Sequence, residues 1–356
     1  MKRVAIGMSG GVDSSVAAAL LKKQGYDVIG LTMNLFGEEE KSGAGEISRS
    51  AIDDARFVCD KLGIKHYVID FKEDFKKHVI DYFIDEYKAG RTPNPCIACN
   101  KFLKFDAMLR QAQLLEADYI ATGHYARIEY DKNSGRYLLK KAAAFAKDQT
   151  YALYSLTQEQ LSKTLMPLGD LKGKDETREI AKELGLDVAQ KPDSMEICFV
   201  PDKDYASFIK KHCAHEIKEG NFVDTDGNIL GRHKGIVHYT IGQRKGLGIT
   251  FGRPMFVVGI NAESNEVVLA EKGSEFSSSL VAGKLNFIPF DTPKEPIKVC
   301  AKVRYSAKEA PAVVSVEGEK ATVVFDEPQR AITPGQAVVF YEPGGDNVIG
   351  GGIIEK

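Results

Sequence analysis

Through the N-terminal part of the chain, short apolar runs alternate with amphipathic stretches. "RVAIGM", "DVIGLTMNL" and "HYVIDF" are compact apolar segments of strand length, and "ADYIATGHYARI" reads as one further strand. Between them, "SSVAAALLKKQG" places Val16, Ala17, Leu20 and Leu21 at helical spacing until Gly25 stops it. "SRSAIDDARFVCDKLG" and the long "EDFKKHVIDYFIDEYKAG" read as amphipathic helices. A later helix carries Phe105, Met108 and Leu109. Strands alternating with helices predict a parallel sheet covered on both faces, an α/β part running over residues 1–210. Beyond it the periodicity shifts. "GNFVDTDGNILGRHKG" pivots on an Asp226-Gly227 turn, and residues 211–278 read as a small β-rich part. In residues 279–356, "KVCAKVRYS", "APAVVSVEGEKATVVFDEP" and "QAVVFYE" are strands with Gly/Pro turns, one hairpin turning near Glu317 to Lys320. That pattern predicts a small closed barrel.

Composition narrows this picture without redirecting it. With 356 residues, 43% hydrophobic and 28% charged, the chain buries about three quarters of its unfolded surface and needs no disulfide or structural metal to fold. A formal net charge of −2 is unlike a dedicated non-specific nucleic-acid binder, so RNA contacts would rest on local clusters: Lys140 with Lys141, Arg232 to Lys234, Arg244 with Lys245. The opening "MKRVAIGMSGG" lacks a signal-peptide core, and no apolar stretch is long enough to span a membrane. Six cysteines are too sparse for a disulfide scaffold. The expectation is a cytoplasmic protein, a monomer, whose paired cysteines are catalytic or metal-binding.

The candidate chemistry begins at "GMSGGVDSS", Gly7 to Ser15, in a strand-to-helix turn. A kinase-type phosphate loop would close with Gly-Lys-Ser/Thr; this one closes with Val12, Asp13, Ser14 and Ser15. Gly10 and Gly11 let backbone N–H groups approach an anion, Ser9 and Ser14 add donors, and the helix dipole favours negative charge. The helix is expected to begin at about Asp13 or Ser14, and the bland reading makes Asp13 only its N-cap. "SGGVDSS" is similar to the pyrophosphate-loop signature Ser-Gly-Gly-x-Asp-Ser, a resemblance that implies cleavage of ATP between its α and β phosphates.

Cys96 and Cys99 follow Pro93 and Pro95 in "RTPNPCIACNKFLKF". The prolines predict an extended entry with the helix starting near Asn100, and Lys101 and Lys104 would lower the thiol pKa values. A zinc site would need a second pair at matching spacing, and Cys213 with His215 is a poor match. Cys198, in "KPDSMEICFVPD", reads by itself as a core cysteine, as do Cys59, Cys213 and Cys300.

Together, "GMSGGVDSS", "RTPNPCIACNKFLKF", "ATGHYAR", "KDQTYAL", "DSMEICFV", "YTIGQRKGLGI", "VRYS" and "TPGQAVVFY" resemble the tRNA-specific 2-thiouridylase family, in order and over nearly the whole chain. The resemblance implies a pyrophosphate-loop fold of the adenine nucleotide α-hydrolase type. It further implies that ATP adenylates the C2 oxygen of the wobble uridine, and that a protein persulfide then delivers sulfur to that carbon. Gly7, Met8, Ser9, Gly10, Gly11, Val12, Asp13 and Ser14 would hold the phosphates, with Mg²⁺ bridging them, while Met33 and Gly123 line the adenosine pocket. Cys198 would carry the persulfide and Cys99 would be its disulfide partner. Asn94, Pro95 and Cys96 match the target-base loop; Lys147, Asp148 and Gln149 match a second tRNA contact; His124, Arg304, Tyr305 and Gln336 match further ones. The implied partners are the tRNAs for Lys, Glu and Gln, and a persulfide donor, either a cysteine desulfurase or a sulfur relay protein.

Many relatives carry aspartate where this chain has Cys96. With three thiols available, Cys96, Cys99 and Cys198 are also a candidate ligand set for a [4Fe–4S] cluster, the alternative route for sulfur. Two other classes fit the chain less well. A glutamine-dependent ligase would need a glutaminase part, for which the chain offers no candidate. A purely RNA-binding module would have no use for the retained loop and both cysteine motifs.

Overall fold

The computed structural model describes residues 1–36, 44–186, 197–213 and 217–355. The chain divides into two compact units. One comprises Met1–Val79, Cys96–Lys203 and Asp346–Val348; the other comprises Ile80–Pro95, Asp204–Gly345 and Ile349–Lys356.

The first unit is built on a parallel sheet. Its strands are β1 (Arg3–Gly7), β2 (Asp27–Asn34), β3 (Lys65–Asp70) and β4 (Tyr119–Ala121). A separate antiparallel hairpin, β5 (Ala126–Asp131) with β6 (Arg136–Lys141), precedes the last sheet strand, β7 (Thr164–Leu165). The sheet order is β3-β2-β1-β4-β7, with every pairing parallel. The order reverses at β1 and β4, so the crevice at their C-terminal ends is the topological switch point where open α/β sheets bind ligands. "ADYIATGHYARI" is therefore two strands in two sheets, not one, because residues 122–125 leave the sheet after β4.

Helix α1 (Val12–Lys23) is buried nearly all round, through Val12, Ser14, Ser15, Val16, Ala17, Ala18, Ala19 and Leu21. Its small residues let it lie close on the sheet. Helix α2 (Ala44–Leu62) is amphipathic and sets Ala55, Val58 and Cys59 into the same core as Val4, Ile6 and Val16. Helix α3 (Lys72–Phe75) passes through a π-helical stretch, Lys76–Asp81, into α4 (Tyr82–Lys88), which belongs to the second unit. In the same manner α5 (Pro95–Ala98) passes through Cys99–Ala107 into α6 (Met108–Leu114). Two further helices, α7 (Gln158–Ser162) and α8 (Lys174–Glu183), complete the unit.

In the second unit, α9 (Tyr205–His212) stacks on α4 through Tyr87 and Tyr205, ring centroids 5.1 Å apart. Strands β8 (Gly220–Val223), β9 (Ile229–His233), β10 (Met255–Asn261) and β11 (Glu266–Glu271) form a mixed sheet in the order β10-β11-β8-β9. Asp224 receives the amides of Asp226 and Asn228, which closes the turn at Asp226-Gly227. The remaining strands are β12 (Phe276–Phe287), β13 (Ile297–Lys302), β14 (Ala310–Glu317), β15 (Lys320–Arg330), β16 (Ala337–Tyr341) and β17 (Val348–Ile354). They close a barrel in the order β12-β15-β14-β13-β16-β17. Val299, Val314, Val323, Phe340 and Ile354 fill its interior, and Ala321, Val323 and Phe325 alternate with exposed neighbours as a half-buried strand requires.

Candidate active site

The loop Gly7–Ser14 leaves β1 at the switch point. Helix α1 starts at Val12, one or two residues earlier than its sequence pattern suggests, with Gly11 as an N-cap that has no side chain to bond the first amides. The orphan N–H groups of the first turn are thus left to a ligand. Ser9 and Ser14 hydroxyls lie 3.1 Å apart, and the Ser9 amide donates to Ser14 Oγ at 3.2 Å, which curls the loop. Gly10 has φ +70°, and a Cβ there would lie 2.5 Å from the Ala51 carbonyl oxygen. Gly123 follows β4 and abuts the same turn: a Cβ would sit 2.8 Å from Asp13 C and Ser14 N. Met33 stands near the C-terminal end of β2, half-buried.

Asp13 is not an N-cap. Its carboxylate accepts from Lys174 Nζ at 2.7 Å and from the Tyr125 hydroxyl at 2.9 Å, and that hydroxyl also lies 2.8 Å from Thr177 Oγ1. Lys174, only 9% exposed, opens α8, whose N-cap is Gly173. This buried cation is the functional candidate that sequence reasoning missed, since a lysine in "LKGKDETRE" looks like an ordinary solvated charge. Beside it opens a cavity of about 740 Å³ lined by Ala143 to Lys147 and Lys172 to Asp175, with Arg178. Four of its lining side chains are cationic and one is acidic, and the Arg178 Nε within it is buried without a hydrogen-bond partner.

The cysteine motif departs from its sequence reading. Pro95 opens the helix instead of delaying it, so Cys96 and Cys99 sit in the first turns; proline suits this position because the first helical amide needs no partner. Cys96 and Cys198 are exposed and Cys99 is half-exposed, and none of the three is in a disulfide. Contrary to the acidification expected of Cys96 and Cys99, both thiols titrate upward, and so does Cys198, to about 12. Desolvation by surrounding protein is the main cause, and the Lys104 charge opposes it without prevailing. Cys198 also feels the charges of Cys99 and Cys96, which places the three sulfurs in one neighbourhood. Among the described residues no group of three or more His, Cys, Asp or Glu side chains could hold a metal ion. Nothing among the described residues therefore supports the [4Fe–4S] alternative. Residues 191–196 of the second cysteine motif lie outside the described residues, as does His215. Cys59 is core, whereas Cys213 and Cys300 are half-buried.

The candidate RNA residues separate by environment. In "KDQ", Asp148 accepts from the Ala142 and Thr150 amides at 3.0 and 3.3 Å, and Gln149 Oε1 accepts from the Tyr125 amide at 2.9 Å. Both side chains tie the loop together, while Lys147 lines the cationic cavity. His124 is buried, 2.8 Å from Thr122 Oγ1 through Nδ1, and desolvation holds its ring neutral, well below the usual imidazole range. Within the second unit, Tyr305 is 50% exposed with Lys302 Nζ 5.7 Å above its ring, and Arg304 Nε is buried without a partner. Gln336 donates to the carbonyls of Thr92 and Pro93, at 2.8 and 3.3 Å, the two residues preceding Asn94 and Pro95. Of the basic clusters, Lys140 is taken up by Glu129 and Asp346, at 2.9 and 3.5 Å.

The chain matches three family models in succession. These are a tRNA methyl transferase HUP domain over residues 2–202, a tRNA methyl transferase PRC-barrel domain over 206–271 and an aminomethyltransferase beta-barrel domain over 277–354. It is 61% identical to the tRNA-specific 2-thiouridylase MnmA of Clostridioides difficile (strain 630), over 100% of this chain and 98% of that protein. It is 60% identical to the protein of the same name from Acetivibrio thermocellus, over 99% of each chain. With its loop at the switch point, its clustered thiols and full-length identity at this level, the chain belongs to the tRNA-specific 2-thiouridylase family of sulfurtransferases.

Proposed function

We propose that this protein carries out ATP-dependent 2-thiolation of the wobble uridine of tRNA, yielding 2-thiouridine, AMP and pyrophosphate. The observation that carries the reading is the joint presence, in one compact unit, of a Ser-Gly-Gly-x-Asp-Ser loop with no side-chain cap and the three cysteines Cys96, Cys99 and Cys198. The loop amides and the Ser9 and Ser14 hydroxyls fit the phosphates of ATP with its Mg²⁺, and Met33 and Gly123 border the adenosine. The methyl transfer named for the first two matching domains is disfavoured by the same pairing, because moving a methyl group requires neither a pyrophosphate loop nor a sulfur carrier.

In this reading the uridine O2 attacks the α-phosphorus, pyrophosphate leaves, and C2 acquires a leaving group. The terminal sulfur of a Cys198 persulfide adds to C2, and AMP departs with the former O2. A Cys99 thiolate then attacks the Cys198 sulfur, forming a Cys99–Cys198 disulfide and releasing thiouridine; an external dithiol restores both thiols. Asp13, held by Lys174 and Tyr125, positions the first turn of α1. Asn94, Pro95 and Cys96 receive the splayed base. His124, Lys147, Asp148, Gln149, Arg304, Tyr305 and Gln336 form or support the remaining tRNA surface. Residues 1–210 are the catalytic part, 211–278 a connecting β-rich part and 279–356 a tRNA-contacting barrel. The protein works as a cytoplasmic monomer on the tRNAs for Lys, Glu and Gln, loaded by a cysteine desulfurase or sulfur relay protein.

Reconstitution tests this. The protein is incubated with unmodified tRNA, ATP, Mg²⁺ and a persulfide donor, and digested nucleosides are read by mass spectrometry. An ATP-dependent 2-thiouridine peak that vanishes in Cys198→Ser and nearly vanishes in Cys99→Ser is expected. Normal thiolation by Cys198→Ser would overturn the assignment of the persulfide.

A further inference from the structure

Within the second unit, residues 91–95 form a segment that cannot build its own hydrogen-bond ladder, because Pro93 and Pro95 have no N–H. Its backbone is satisfied from elsewhere in that unit. The Thr92 amide donates to the Pro334 carbonyl at 2.8 Å, and the Thr92 hydroxyl reaches Thr240 Oγ1 at 3.2 Å. Gln336 Nε2 spends its two hydrogens on successive carbonyls, Thr92 O at 2.8 Å and Pro93 O at 3.3 Å. Between these contacts lies Gly335, at φ +91°, where a Cβ would come within 2.9 to 3.0 Å of Thr92 N, C and O. The turn 334–336 is shaped to lie against the Thr92 backbone, and no other residue type fits at its middle.

We propose that Gln336 is a positioning residue. It holds the loop that presents Asn94 and Pro95 in the free enzyme. A side-chain amide suits this task, since it offers two donors at fixed separation to a segment with two consecutive carbonyls and no ladder. The proposal rests on the thiolation reading only for what the loop presents; the clamp itself needs no RNA.

The test compares the full chain with Gln336→Glu, which keeps the shape but sets acceptors against the two carbonyls, and with Gly335→Ala, which removes no group that RNA could bind. Amide hydrogen exchange at Thr92 and Asn94 is read without RNA or ATP, with Val338–Phe340 amides as the internal standard for barrel integrity. The expected result is exchange faster by about tenfold at Thr92 and Asn94 in both variants, the size of one lost hydrogen bond, with the barrel amides unchanged. Thiolation of an anticodon stem-loop should show kcat lowered by about tenfold and KM moved by less than about threefold. Unchanged exchange in Gln336→Glu overturns the proposal, whatever happens to RNA affinity. So does faster exchange with unaltered kcat, or a change confined to KM. Should Gly335→Ala not fold, Gln336→Glu carries the test alone. Should the unaltered chain thiolate nothing, the functional reading fails separately, and the exchange data still decide the clamp.

Discussion

At the residue scale, protonation state governs the thiols. Only a thiolate attacks an electrophile, and desolvation pushes Cys99 and Cys198 upward, the latter to about 12. Below its pKa the thiolate fraction grows about tenfold per pH unit. Alkylation of these cysteines by iodoacetamide, followed by peptide mass spectrometry, should therefore be slow at neutral pH and rise about tenfold per unit well into the alkaline range. A plateau near neutrality would show acidic thiols instead. A persulfide is more acidic than its parent thiol, so loading sulfur onto Cys198 would offset the desolvation that raises its thiol. Lys174 belongs to this scale as well. Lys174→Met removes the cation from the Asp13 carboxylate but leaves the Tyr125 hydrogen bond. A loss of about 1–3 kcal/mol in stability is expected, less than for a fully buried pair because Asp13 is partly solvated. Urea denaturation measures it, and ATP-dependent AMP formation should fall in the same variant.

At the element scale, the site depends on how closely the first turn of α1 approaches the segment after β4. Gly123 sets that distance, and its added Cβ would strike Asp13 and Ser14 backbone atoms, which have no room to rotate away. Gly123→Ala should displace the turn and weaken ATP binding by at least about tenfold in calorimetry, with a smaller fall in melting temperature. Unchanged affinity would mean that α1 moves as a rigid body at little cost. The helix beginning at Pro95 shows a different element-level effect. Its π-helical stretch Cys99–Ala107 widens the turn right after the cysteine motif, an irregularity common at functional sites.

At the scale of the whole molecule, a chain of net charge −2 must bind a polyanion through local charge. The cavity lined by Lys147, Lys172, Lys174 and Arg178 is one such concentration, and Lys302 with Arg304 beside exposed Tyr305 is another. Affinity for an anticodon stem-loop should fall steeply with salt. If about four phosphates are neutralised, the slope of log K against log salt is about −3. A slope near zero would indicate recognition by stacking and hydrogen bonding alone. Lys140, already paired with Glu129 and Asp346, should contribute little to that slope when changed to Gln.

The alternation of apolar runs with amphipathic stretches was enough to determine the parallel sheet, its flanking helices and the closing barrel, because burial on both faces or on one face imposes periodicities visible in any single strand or helix. The Ser-Gly-Gly-x-Asp-Ser loop and the cysteine motifs were legible for a related reason: backbone approach to an anion and sulfur chemistry both demand particular residue types at short spacing. Tertiary structure alone decided the rest. Asp13 meets Lys174 only because α1 and α8 pack side by side, 161 positions apart in sequence. Gln336 reaches Thr92 across 244 positions. The three thiols are raised and not lowered in pKa because desolvation by protein from distant segments outweighs the nearby lysine that local sequence displays. Such pairings arise from long-range contacts and the low dielectric they create, and neither leaves a periodic trace along the chain.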